Sequence, residues 1–429
     1  MDSEHMSSNT GFTSVLRILR QPEYGIYTLG NGVSLVGLWM QRVAIGWLAW
    51  DLTGSGAWLG AVAFADLFPS VLIGLIGGVA ADRMDRIRVI AFCQSVSMVL
   101  AAVLAVLTFS GHATIELVIG IVFVNGLVIG FNQPSRLALV PRLVANADLT
   151  TAVAFNSILF NLARFIGPAL AGLVIVASDV AWAFVANALS YLALLLALGA
   201  VRRRNPGAGR DPDAAVGARR GLLADIGAGL SYVALHPGLG PLMLLHLMGS
   251  LSVRPIVELM PGFADRVFGG GADILALLTS TVGVGAMIGG WILASRRGRD
   301  GLVRLVLVSA VGVSISVLGF VATDVIWIAV PAIGLYGLSM VAAGIGTQTI
   351  VQLAVDPSMR GRVLSLHGLI FRGGPALGAL LMGSLGDFVG LRPPVAVGAI
   401  VALGVAAMVA TRASVLRASL EGDQRQSDT

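Results

Sequence analysis

The sequence predicts an all-α membrane protein of twelve transmembrane helices in two pseudo-symmetric six-helix halves. Three observations predict it. Hydrophobic residues make up 56% of the chain and charged residues only 12%, with a mean hydropathy of +0.88, far from the balance of a water-soluble domain. Apolar stretches of about 20 residues, the length that crosses a roughly 30 Å hydrocarbon core, recur along nearly the whole chain. Short motifs of the first half return at matching places in the second.

The expected spans are 25–50, 57–79, 87–109, 114–133, 152–176, 180–201, 239–260, 273–295, 302–322, 325–346, 363–386 and 393–411. They imply a cytoplasmic tail over 1–23, a first bundle over 24–201, a linker over 202–237, a second bundle over 238–412 and a cytoplasmic tail over 413–429. The linker carries Pro206, Gly207, Gly209 and Pro212 with mixed charges, and an amphipathic helix is expected near Leu222 to Tyr232. Beyond Arg412 the tail reads as polar and disordered.

Every basic residue is Arg, and nearly all of them fall in loops on one side; the opposite loops carry only Arg266 and Arg392. The positive-inside rule then places both termini in the cytoplasm, and the same distribution excludes a nucleic-acid interface. Trp50, Trp58, Trp182 and Trp327 fall at outer span ends, as an interfacial belt would. No cleavable signal is visible, so the first span serves as the insertion signal. Cys93 is the single cysteine, and the five histidines are scattered without ligand spacing. No metal, cofactor or catalytic constellation is expected, and with no Lys the chain has no phosphate-binding G-x-x-x-x-G-K-[ST] loop for direct ATP coupling.

Taken in order, the first span ends in Trp39-Met40-Gln41-Arg42-Val43-Ala44 and continues into Trp47-Leu48-Ala49-Trp50-Asp51-Leu52-Thr53-Gly54-Ser55. The second carries Asp66 and closes with Gly74-x-x-x-Gly78, a spacing that admits a close neighbour, before the charged hinge Asp82-Arg83 and Asp85-Arg86. Asn132-Gln133-Pro134-Ser135-Arg136 through Asp148-Leu149-Thr150 joins spans 4 and 5. Span 5 holds Gly167-Pro168-Ala169-Leu170 preceded by Arg164, and span 11 holds Gly374-Pro375-Ala376-Leu377 preceded by Arg372. Gly74 and Gly78 are echoed by Gly285 and Gly289 in span 8, but the acidic hinge is not: the second half reads Arg296-Arg297-Gly298-Arg299 there. These echoes make the halves repeats of one another.

The hinge Gly78-x-x-x-Asp82-Arg83-x-x-Arg86 resembles the loop between helices 2 and 3 of the major facilitator superfamily. Trp39 to Ser55, the 4–5 connection and Asp356-Pro357-Ser358-Met359-Arg360-Gly361-Arg362-Val363 are similar to its bacterial branch of enterobactin exporters and macrolide efflux proteins. The resemblance covers essentially the whole chain and implies the major facilitator fold. It also implies secondary active export of a small amphipathic compound, such as a drug, siderophore or secondary metabolite, by proton antiport and alternating access in the bacterial inner membrane. A monomer is expected. An importer or facilitator of a similar solute, or a non-transporting receptor or scaffold, is the alternative.

Six ionisable groups lie well inside the expected spans: Arg42, Asp66, Arg164, Arg254, Glu258 and Arg372. Left facing lipid they would cost on the order of 15 to 20 kcal/mol together, so they pair or face a watery pathway. Arg42 and Asp66 both fall about 12 to 14 Å below the outer face. They suggest an ion pair at which a proton or cationic substrate competes for Asp66, or else a permanent structural bridge. Arg254 and Glu258 have i, i+4 spacing and could bond along one helix face, as a bridge, a gate or a proton site. Arg164 and Arg372 fit an anionic substrate or packing against backbone carbonyls. Gln41, Asn125, Asn156, Asn161, Asn187 and Tyr191 are further pathway candidates. Gly167-Pro168-x-x-x-Gly172 resembles the helix 5 motif of facilitator antiporters, with Ala171 where a second Gly is usual. With Gly374 and Pro375 it is expected to bend the helices and pack tightly on the opposite half. Gly78, Asp82, Arg83 and Arg86 are the candidate latch for a cytoplasm-closed state.

Overall fold

The computed structural model describes residues 10–209, 222–294 and 300–422, without the side chains of 10–13, 74–83, 222–226 and 294. Among the described residues it has twelve helices long and apolar enough to cross a membrane. Spans 1 to 6 are Pro22–Thr53, Gly56–Ile73, Arg86–Phe109, Ile115–Arg142, Asn146–Ala177 and Val180–Arg204. Spans 7 to 12 are Leu239–Val257, Ala272–Leu293, Leu302–Val321, Ile326–Ala354, Pro357–Val389 and Arg392–Ala410. The protein is a multi-pass membrane protein, as composition required.

Local chemistry sets the helix ends. Asp85, Asp179 and Asp356 precede spans 3, 6 and 11, and their carboxylates accept from the Arg88, Ala181 and Ser358 N–H groups at 3.1, 2.8 and 2.8 Å. Each satisfies a first-turn amide that the helix leaves bare. The turns after spans 1 and 11 need a left-handed residue, and Gly54 (φ 58°) and Gly390 (φ 83°) supply it.

The chain forms two compact units, one of residues 1–48 and 72–216, the other of 49–71 and 217–429. The core of the first unit gathers Tyr24, Tyr27, Ile87, Ile90, Leu139, Leu194 and Val201. The stretch before span 1 is more than a tail. Thr10–Leu19 is a helix whose Ile18 is fully buried. Arg17 and Gln21 donate to the buried Asp148 carboxylate at 2.5 and 2.8 Å.

In the second unit a helix over Leu222–Leu235 precedes span 7, where an amphipathic helix was expected. The stretch after span 12 also departs from the expected disorder. Ala413–Leu420 is a helix with Leu416 and Leu420 in the core, and Glu421 Oε1 accepts the Val303 N–H at 2.6 Å.

Glycines set the closest helix approaches inside each unit. A Cβ at Gly285 or Gly289 of span 8 would strike backbone atoms of Gly334 or Leu338 in span 10, so these two helices lie backbone to backbone. The first glycine of each GPAL motif packs on the first span of its own half. Gly167 abuts Val36, Trp39 and Met40 of span 1, and Gly374 abuts Ser250 and Leu251 of span 7. Both helices run unbroken through their prolines, over Leu149–Ala177 and Pro357–Val389, with Gly172 buried.

Trp50 departs from the interfacial belt. It is 3% exposed, its indole N–H donates to Asp265 at 2.8 Å, and Gly262 leaves the space its ring fills. Trp58, Trp182 and Trp327 are exposed, as a belt residue should be.

Candidate functional site

In the first unit, spans 1, 3, 4, 5 and 6 bring their polar side chains into linked pairs. Asn187 donates to Gln41 at 2.6 Å, and the Ser190 hydroxyl donates to Asn187 at 2.9 Å. Gly37 makes the room, because a Cβ there would collide with both span 6 side chains. Gln94 donates to Ser34 at 3.0 Å and Asn132 donates to Gln94 at 3.3 Å, while Ser97 donates to Asn125 at 2.9 Å. Asn31 donates to Asn156 at 3.3 Å and accepts from Arg136. Asn161 turns back to the Ser157 carbonyl of its own helix at 2.9 Å.

Arg42 and Arg164 both lie over the Trp39 ring, each 5.5 Å from its centroid. Phe160 meets the same ring edge to face at 5.7 Å. The quadrupole of an indole ring suits cations within a span. Beside this cluster runs an apolar groove of about 540 Å³, lined by Gly32, Val36 and Met40 of span 1 and by Leu159, Ile166 and Leu170 of span 5, with Ser190 of span 6.

In the second unit, span 7 stops being α-helical at Ser252, and Arg254–Val257 is a 3₁₀ turn. Pro255 has no N–H to continue the ladder. The continuous helix face expected to carry Arg254 and Glu258 is therefore absent. The Arg254 guanidinium stacks 3.9 Å from the Phe371 ring centroid and donates to the Phe371 carbonyl at 3.0 Å. Arg372, one residue on, donates to Ser70 at 3.2 Å. Asp66 and Glu258 are partly buried. Arg42 thus belongs to the first unit and Asp66 to the second.

Sequence spacing missed two histidines, since His246 and His367 lie far apart in the chain. They stack with centroids 4.3 Å apart and planes 5° from parallel. Phe371 extends the stack at 6.4 and 6.2 Å. The available signal was a His four residues before Phe371 on one helix face. Another unforeseen role is that of Asp85. Beyond capping span 3, it lies 3.9 Å from both Arg88 and Arg202, and the Arg86 N–H donates to the Gly209 carbonyl at 2.8 Å, with the Arg86 side chain buried. The side chains of Gly78, Asp82 and Arg83, and the residues Arg296, Arg297 and Arg299, lie outside the described set.

The chain is similar to known transporters over nearly its whole length. The family described as "transmembrane secretion effector", of the major facilitator type, matches residues 13–428. The staphyloferrin A transporter of Staphylococcus aureus is 28% identical over 83% of this chain and 87% of its own. Macrolide efflux protein A of Streptococcus pyogenes is 24% identical over 85% and 90%. Among solved structures, a peptide transporter bound to alafosfalin superposes with a TM-score of 0.70 over 93% of this chain and 96% of its own, at 14% identity, which establishes the fold. The chain belongs to the transmembrane secretion effector family of the major facilitator superfamily and is a membrane transporter of small compounds.

Proposed function

We propose that this protein exports small amphipathic compounds across the bacterial cytoplasmic membrane by proton antiport and alternating access, as a monomer with cytoplasmic termini. The observation that carries the reading is the relationship to an efflux protein over 85% of this chain. Ionisable groups inside the spans accompany it, of the kind that line ion and substrate pathways. In this reading Asp66 and Glu258 carry the proton, and Arg164 and Arg372 meet an anionic part of the substrate. One proton moving inward across about 100 mV releases about 2.3 kcal/mol, enough for a roughly fiftyfold gradient. The stretch Gly78 to Arg86 acts in this reading as the latch of the cytoplasm-closed state. Asp82→Asn should then raise labelling of a cysteine placed in the cytoplasmic half of the pathway.

The test is uptake of a labelled macrolide into inside-out vesicles under an imposed pH gradient. Uptake should require the gradient and collapse with a protonophore. It should also fall strongly in Asp66→Asn or Glu258→Gln while the protein still folds. Gradient-independent uptake sinks the antiport reading, and accumulation only in right-side-out vesicles makes the protein an importer.

A further inference from the structure

The groove beside span 1 faces away from the polar interior of the first unit. Asn31, Ser34 and Gln41 recur at helical spacing on one side of span 1, all buried and hydrogen-bonded to side chains of spans 3, 5 and 6. Leu29, Val33, Val36 and Met40, which line the groove, recur on the opposite side. Leu29 is 73% exposed and Val33 51%, so the groove stands open. Among its lining side chains only Thr28 and Ser190 carry a hydroxyl, and none carries a charge. An open apolar side of a helix bundle within the membrane meets hydrocarbon.

The dimensions suit one hydrocarbon chain. From Thr28 to Met40 span 1 rises about 18 Å, close to the depth of one leaflet of a roughly 30 Å hydrocarbon core. The volume of about 540 Å³ falls within the range of single-ligand sites. A chain gains little by leaving the bilayer for such walls, because lipid tails are equally apolar. Selectivity therefore comes from the end of the groove that reaches the membrane surface.

That end is basic. Leu19 closes it, and Arg20 follows in the chain. Span 6, which supplies Ala186 and Ser190 to the groove, ends at the same level in Arg202, Arg203 and Arg204, since Arg204 lies 3.9 Å from Glu23 at the start of span 1. The acids nearby are matched: Asp148 takes Arg17 at 2.5 Å, and Glu23 faces Arg204. Arg20 and Arg203 are exposed and make no ion pair among the described residues. Their guanidiniums offer the planar donor fork that suits a phosphate.

We propose that the groove seats one acyl chain of an acidic membrane phospholipid, with its phosphate held at Arg20 and Arg203. The inference uses the membrane-spanning fold alone and is independent of what is transported and in which direction.

The probe is a phosphatidylglycerol carrying a diazirine midway along one acyl chain, at low mole fraction in phosphatidylcholine bilayers that hold the full chain. On illumination, cross-links should concentrate on residues 28–40 and 155–170. A phosphatidylcholine with the same diazirine should label these stretches at least about fivefold less, the factor by which one Arg near the surface favours an anionic lipid. Arg20→Gln should cut the phosphatidylglycerol labelling severalfold, and Arg20→Gln with Arg203→Gln should bring the two probes level. Val33→Trp fills the groove and should remove the cross-links to 155–170. Val106→Trp, at an exposed position of span 3, is the control and should leave them unchanged. A thermal melt of each variant reports folding, and if Val33→Trp fails to fold, Leu29→Trp replaces it. Even labelling of the exposed faces of both units, equal labelling by the two probes, or labelling unchanged in the folded variants overturns the proposal. Displacement of the cross-link by a macrolide and not by unlabelled phosphatidylglycerol makes the groove a substrate site and overturns it equally.

Discussion

The carboxylate of Asp387, on span 11, accepts the backbone N–H of Gly56, the first residue of span 2, at 2.6 Å. It also accepts from the Ser55 hydroxyl at 2.5 Å and the Ala57 N–H at 3.2 Å. An acid 331 residues away in sequence therefore performs the capping that a neighbouring Ser or Asp usually performs, at the helix end where a negative charge is favoured. Asp387→Ala should remove about 1 kcal/mol of local stability. Hydrogen exchange at the Gly56 and Ala57 amides should rise about fivefold, with little change at the capped first turn of span 6.

Beneath this cap the two helices touch through glycines. A Cβ at Gly383 would strike the Gly56 carbonyl, and one at Gly60 would strike the Ala379 carbonyl. Backbone cannot swing aside as a side chain can, so Gly383→Ala should lose about 1–3 kcal/mol. Gly120→Ala, which meets nothing within 4 Å, is the control and should be close to neutral. Thermal melts of both variants in detergent check the difference.

The buried Gln41–Asn187 bond of 2.6 Å ties span 1 to span 6. Gln41→Ala or Asn187→Ala should each destabilise by about 1 kcal/mol, the usual scale for polar contacts between membrane helices. The double variant should lose less than the two singles together, since each single already leaves its partner unsatisfied. Unfolding in mixed micelles of rising SDS fraction measures the cycle.

His236 precedes span 7, and its Nδ1 accepts the Gly238 and Leu239 N–H groups at 3.2 Å. Burial lowers its pKa below the ordinary 6.5. A depressed basic group favours the fold while neutral, so its contribution is present above about pH 6.5 and fades as acid protonates it. Exchange at the Gly238 and Leu239 amides should therefore quicken as pH falls from 7.5 to 5, once corrected for the intrinsic rate. In His236→Ala it should be fast throughout and lack that step.

The sequence by itself determined the number of spans, the two-fold repeat and the family. Runs of apolar residues and the motifs Asp82 to Arg86 and Gly-Pro-Ala-Leu are local and survive without knowing any contact. The tertiary structure decided which faces meet. Lipid is as apolar as the interior, so most spans carry no polar-against-apolar stripe from which a buried face could be read. Hence Trp50 could pass for an interfacial residue until Asp265 was seen beside it. Arg254 could be assigned to an α-helical face that Pro255 ends. His246 and His367 became a pair only when spans 7 and 11 crossed, because a stack between residues 121 positions apart has no signature in spacing.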